Sequence, residues 1–424
     1  MSVKKSFKNH LVHSKRAYVV AVDMGYGHQR AVYPLRHLAT ALPTDKNREG
    51  RVINANNYLG ISKTDRHRWQ ASQKLYELVS RFSVVPLFGK IVFKFFDYFQ
   101  RIEPFYPKHD QSRPTFQLRS IYAGIAHGWG KDLITTLNLK PLPLITSFFI
   151  PAYFAEEHGY KGEIYLLCCD ADVSRAWAPL KAGSSRINFL VPNTRVRDRL
   201  RRYGVRAEKI TITGFPLPQE NIGDRSEAIL KKSFSERIKR LELKNKKLPL
   251  TVTFCVGGAG AQRDLGVQIL NSLHQKIDKG EVILNLVAGS RADVYDFFRQ
   301  AVNRLHLKPK HQGHIQIIHA LYRPEYFKIF NETLLTTDIL WTKPSELSFY
   351  AGLGLPIIMA PGVGSQESFN REWLLTLGAG IEQKDPAFTD EWLFEMLESG
   401  ALAAAARHSL EAPRSGVVEI AKLI

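Results

Sequence analysis

TDILWTKPSELSFYAGLGLPIIMAPGVGSQESFNREW, residues 337–373, is the stretch whose reading decides the fold. Ile339-Leu340-Trp341 is an apolar run of the length of a buried strand end, and Leu355-Pro356-Ile357-Ile358-Met359 is a second. Between them lie a polar turn, Thr342-Lys343-Pro344-Ser345-Glu346, and a helix-like segment from Leu347 to Leu353 that Gly354 stops. The second run leaves through Pro361-Gly362-Val363-Gly364, and Ser365 stands as an N-cap before Gln366-Glu367. Two consecutive strand ends therefore put polar turns on one edge of a parallel sheet, the edge where open α/β sheets bind ligands. Lys343, the amides around Ser345, and Gln366, Glu367 and Asn370 can converge there on one molecule. Amides and a lysine suit phosphates, whereas carboxamide and carboxylate side chains suit hydroxyls. A nucleotide sugar carries both kinds of group.

This stretch resembles the donor half of GT-B glycosyltransferases. The nearest likeness is to the branch of monogalactosyldiacylglycerol synthases, processive diacylglycerol glucosyltransferases and the lipid-linked N-acetylglucosaminyltransferase of peptidoglycan synthesis. Thr342-Lys343-Pro344, Gly354-Leu355-Pro356 and Gly364-Ser365-Gln366-Glu367 with Asn370 stand where that family has its Thr-Lys-Pro turn, Gly-aliphatic-Pro and Gly-Gln-Glu…Asn segments. The family holds the ribose with a Glu five residues before the glycine, and here that position is Phe349. The nearest carboxylate is Glu346, eight residues before Gly354, which leaves its ribose role open.

The amino-terminal half opens with the buried strand AYVVAVD, residues 17–23, the turn Met24-Gly25-Tyr26-Gly27-His28, and helical spacing from Gln29 to Leu42. Strand, glycine turn and helix make a βα unit of the nucleotide-binding kind, although this is not the dinucleotide fingerprint. The resemblance places Gly25, Gly27 and His28 on the acceptor side of an interdomain cleft. A helix cap is the plainer role for His28. Further on, the strand GEIYLLCC ends at Asp170-Ala171-Asp172. Asp-x-Asp is the metal-diphosphate motif of a different glycosyltransferase architecture, but its place at the end of a central strand favours Asp170 lining the acceptor cleft. Asn193 reads as the N-cap of the basic helix TRVRDRLRRYG, taken as solvated surface, and Lys209 to Pro216 matches the family's crossing between domains. Beyond it, the strand LTVTFCV, residues 250–256, leads into Gly257-Gly258-Ala259-Gly260, small residues that let backbone approach a ligand at a helix start. A glycine turn can also be purely structural; in the family this one faces the donor diphosphate.

A chain of 424 residues has room for two α/β domains. Its three cysteines lack metal-ligand spacing, no apolar run spans a membrane, and the amino terminus lacks the apolar core of a signal peptide, so a cytoplasmic protein is expected. A net charge of +19 calls for an anionic partner. Without a zinc finger, RNP motif or helix-turn-helix pattern, nucleic acid is disfavoured. Residues 63–106 interleave aromatics with Arg81, Lys90, Lys94 and Arg101, which suits either an anionic membrane surface at the inner face or an ordinary packed helical hairpin.

The expected fold is α/β, two Rossmann-like domains facing across a cleft (GT-B), with residues 1–216 on the acceptor side and 217–424 binding the donor, the last helix free to return to the first domain. The expected activity is transfer of a sugar, with inversion, from a nucleotide diphosphate (UDP favoured) to a hydroxyl, on a lipid or otherwise. His28, or second Asp170, would be the base; Gly257, Gly258, Gly260, Lys343 and Ser345 would hold the diphosphate; Gln366, Glu367 and Asn370 would read sugar or ribose. No cofactor and no metal are expected, since amides, a helix dipole and Lys343 supply the positive field. The alternatives are a nucleotide-sugar 2-epimerase, which needs more carboxylates around the sugar, a catalytically silent binder of a nucleotide sugar or lipid, and an RNA-binding protein.

Overall fold

Short apolar strands alternating with helices dictate parallel sheets covered on both faces, because each crossover must lay a helix back on its sheet. The computed structural model describes residues 16–45, 51–71, 102–242, 248–257, 260, 262–305, 308–362 and 365–424. Within them the strands form two six-stranded sheets. The first comprises β1 (Tyr18–Ala21), β2 (Ile53–Asn54), β3 (Leu144–Thr146), β4 (Ile164–Leu167), β5 (Asn188–Val191) and β6 (Ile210–Ile212), in the order β2-β1-β3-β4-β5-β6. The second comprises β7 (Leu250–Cys255), β8 (Val282–Gly289), β9 (Ile315–His319), β10 (Ile339–Thr342), β11 (Ile357–Met359) and β12 (Gly380–Glu382), in the order β12-β11-β10-β7-β8-β9. Every strand pair is parallel. Two Rossmann-like α/β domains thus face each other across a cleft.

Each sheet reverses its winding once. In the first the reversal falls between β1 and β3, in the second between β7 and β10. At a reversal the flanking crossovers leave to opposite faces, and the gap between them is a ready crevice.

The apolar core does not stop at the domain boundary. One cluster runs from β1, β3 and β4 through Phe215 and Leu217 to Phe330, Leu340, Phe349 and Tyr350. Phe349 stacks face to face on Phe215, with ring centroids 4.8 Å apart and planes 10° from parallel. Phe349, which stands where the resembling family has a ribose-binding Glu, is therefore spent on packing the crossing segment. The closing helix Gly416–Leu423 lies on the first domain, burying Val417 and Ile420, and the Leu423 carbonyl accepts from Tyr165 Oη at 3.1 Å.

Local structure departs from the sequence pattern in several places. The helix expected to run from Gln29 is Gly27–Val32, followed by a 3₁₀ segment Tyr33–Leu38, because Pro34 has no N–H and its ring obstructs the preceding turn. The segment before β3 forms two helices, Phe116–Ala126 and Lys131–Leu137, parted at Gly128 and Gly130, both at positive φ. The Asn193 side chain does accept from Val196 N at 2.9 Å, capping Thr194–Arg202. That helix is not simply a solvated face, however, since Arg199 is fully buried. Of the basic-aromatic region, residues 72–101 lie outside the described residues; Trp69 is buried with its ring edge-on to Trp129 at 5.0 Å. No helix among the described residues is long and apolar enough to cross a membrane.

Candidate functional site

The two winding reversals open toward one another, and the singled-out residues gather around them. In the first sheet, the first turn of the helix that follows β1 carries His28, and the turn after β3 carries Ser147. His28 Nδ1 lies 2.8 Å from the Ser147 carbonyl, and Ser147 Oγ donates back to the His28 carbonyl at 2.6 Å. A carbonyl can only accept, so Nδ1 holds the hydrogen and Nε2 keeps its lone pair. Burial beside Phe148 lowers the imidazole pKa from its usual 6.5 to about 4, against the opposing influence of the Ser147 bond and of Glu346. The ring is neutral at pH 7.

Asp170 follows β4, one strand further along. Burial raises its carboxyl pKa from 3.8 to about 6, with Glu346 and Glu367 adding to the rise and Asn370 and Lys343 opposing it. A carboxylate tuned toward neutrality is a better proton acceptor than an ordinary one, because its conjugate acid is weaker. Asp172 has a different task. Its two oxygens take bonds from Arg199 Nε and Nη2, each at 2.9 Å, and from Arg195 Nε at 2.8 Å. With both oxygens so engaged, the Asp-x-Asp pair does not offer two free carboxylates to one cation. Among the described residues no group of three or more His, Cys, Asp or Glu side chains could hold a metal ion.

In the second sheet, β7 leads into the glycine turn and β10 into Lys343. The two turns touch: a side-chain carbon built on Gly257 would come within 2.9 Å of Lys343 Cε. Gly260 has φ +73, and Arg291 lies against it. Gly258 lies outside the described residues. Lys343 forms an ion pair with Glu367, from the helix Ser365–Leu377. Gln366 sits half-buried in the first turn of that helix, and Ser345 is half-buried at the start of the 3₁₀ segment Glu346–Leu353.

Two of the residues expected on the donor side reach the other domain. Glu346 accepts from Arg30 Nε at 3.1 Å, and its Oε2 lies against Gly27, where an added side-chain carbon would sit 3.1 Å away. Asn370, with no exposed surface, bonds to Ala171 and Asp170. Gly25, at φ +103, has open space around it and supplies the left-handed turn that brings Tyr26 and His28 to the cleft.

Sequence reasoning missed Tyr26 and Arg30, which stand four residues apart on one side of the first helical turn. The Tyr26 hydroxyl accepts from Ser290 N at 2.7 Å, just beyond β8. Arg30 is only 2% exposed and donates to Tyr326 Oη at 2.8 Å, its guanidinium 4.6 Å from the Phe330 ring centroid. A charged side chain interrupting the apolar face of Ala31 and Leu35 was the available signal. Tyr26→Phe should cost about 1–2 kcal/mol in urea unfolding, because it strands the Ser290 N–H in the interdomain seam.

A family model described as a domain of unknown function (DUF6938) matches residues 226–412, within the second domain. No curated protein matches the chain in sequence. Among solved structures, the MurG of Acinetobacter baumannii is similar at 12% identity and TM-score 0.41, covering 72% of this chain and 77% of its own. The Anabaena protein Alr3699/HepE, in complex with UDP and glucose, is similar at 12% identity and TM-score 0.41, covering 74% and 83%. The UDP-GlcNAc 2-epimerase of Neisseria meningitidis, bound to UDP-GlcNAc, is similar at 11% identity and TM-score 0.48, covering 79% and 88%. Likeness at this level assigns no chemistry.

Proposed function

We propose that this protein transfers a sugar from a nucleotide diphosphate donor to a hydroxyl acceptor, with Asp170 taking the acceptor proton. The observation that carries the reading is the juxtaposition of the two winding reversals. Lys343 and the Gly257 turn suit an anionic diphosphate on one side, while Asp170 and neutral His28 stand on the other. The departing diphosphate needs a positive field, which Lys343, Arg291 and the start of the helix Arg263–Asp278 can supply without a cofactor. Lys343 would exchange Glu367 for phosphate as the donor enters. Asp170 is preferred to His28 as the base, since a pKa near 6 accepts a proton more readily than one near 4.

Thermal-shift measurements against UDP, GDP, ADP, TDP and their common sugars test the donor side. One nucleotide should raise the transition temperature, by the mass-action stabilisation of a ligand that binds only the folded state. Lys343→Ala and Gln366→Ala should each remove that rise. Silence of the whole panel would sink the proposal.

Nucleotide-sugar 2-epimerisation is the second reading, favoured by the two carboxylates, Glu346 and Glu367, that lie near enough to Asp170 to raise its pKa. The donor incubated without acceptor separates the two: inversion at the sugar C2 in the proton NMR spectrum selects the epimerase, and dependence on an added hydroxyl selects the transferase.

A further inference from the structure

We propose that Asn370 is a positioning residue: from the second domain it fixes the Asp170 carboxylate of the first, so that the proton acceptor is set only where the two domains meet. The inference rests on the reading of Asp170 given above.

A carboxamide offers two donor hydrogens and an acceptor oxygen. Asn370 Oδ1 takes the Ala171 N–H at 2.7 Å, and Nδ2 donates to Asp170 Oδ1 at 3.0 Å and to the Pro344 carbonyl at 3.4 Å. The amide orientation follows from its partners, since an N–H requires the oxygen and a carboxylate requires the nitrogen. A side chain with no exposed surface and engaged in this way is arranged to hold protein, not to read a sugar hydroxyl. With Oδ1 of Asp170 held, Oδ2 is left to receive a substrate proton.

The third bond extends the argument. Pro344 follows Lys343 directly, so one amide ties the acceptor-side carboxylate to the turn that would contact the donor diphosphate. Displacement of Lys343 on donor entry would reach Asp170 through two hydrogen bonds. The charges facing Asp170 explain why such a clamp is needed. Glu346 from the segment after β10 and Glu367 from the Asn370 helix both disfavour its ionised form, Lys343 favours it, and its own strand contributes the buried thiols Cys168 and Cys169. The Nδ2 donor is the neutral group that stabilises the carboxylate directly.

Carboxyl carbon-13 NMR titration of the full chain, labelled at aspartate and assigned with Asp170→Asn, tests the role. Asn370→Ala should raise the Asp170 midpoint by about one pH unit, the order expected for losing one hydrogen bond to a charged group. Asn370→Asp keeps an acceptor for the Ala171 N–H but sets a carboxylate against Asp170, and should raise the midpoint further. It is also nearly isosteric, and serves if the alanine variant does not fold. A midpoint unchanged in the folded variants would reduce Asn370 to interdomain packing and overturn the proposal. The titration needs no donor, so failure of the nucleotide panel would remove the transferase reading without altering this result.

Discussion

Asp170→Asn should lower turnover by about 10²–10⁴-fold, the usual contribution of a general base, with little change in donor affinity. The assay is release of the nucleoside diphosphate from whichever donor the thermal-shift panel identifies. In the unaltered protein the rate should fall as pH drops through about 6, where Asp170 takes up its proton, rather than through about 4, where His28 does. The same substitution should leave the protein more stable at neutral pH. The Asp170 pKa is raised in the folded state, so the folded chain binds more protons than the unfolded chain between about pH 4 and 6. Stability contributed by protonated Asp170 is present below the unfolded pKa and lost as pH rises through the folded one. Removing the charge should recover it, by about 2–3 kcal/mol at pH 7 and by nothing below pH 4. A variant both slower and more stable is the mark of a strained functional group.

Asp172→Asn, two residues along, should do the opposite. It leaves Arg199 with no exposed side-chain surface and no compensating charge, and it weakens Arg195, which also reaches Glu372 of the second domain. Breaking a buried pair of this kind costs about 3–5 kcal/mol. Denaturant unfolding followed by tryptophan fluorescence should show the loss. Added Mg²⁺ or Mn²⁺ should not restore the midpoint, because the role of Asp172 is to hold guanidinium groups. Equal stability of Asp172→Asn and the unaltered protein would mean that the ion cluster is an incidental contact.

These two aspartates mark how far the sequence could be read. Strand ends and glycine turns were legible because a parallel α/β chain writes each strand as a short apolar run and each ligand-facing turn as a polar break. Residues 337–373 accordingly fold as β10 and β11 in adjacent, parallel register. What stayed hidden depends on contacts between distant positions. That β10 would lie beside β7 rather than β9, bringing Lys343 to Gly257, is a matter of winding order, which no local pattern encodes. Arg199 read as surface because arginine usually is; its burial depends on Asp172, 27 residues earlier in the chain. Asn370 was recognised as special, but its bonds to Ala171 and Asp170 of the first domain join positions far apart in the chain, which no local pattern shows.

The return of the last helix to the first domain has a mechanical consequence. The chain passes between the domains at Thr213–Pro218 and again after Leu410, and the two passages touch. Gly416 packs on the Phe215–Pro216 backbone with no room for a side-chain carbon, and Gly214, at φ +78, faces Pro413. Two tethers joined at one place allow rotation and forbid separation. The domains can swing apart only about this shared hinge, so opening should leave intact the Phe215–Phe349 stack and the Trp373 ring packed on it at 4.9 Å.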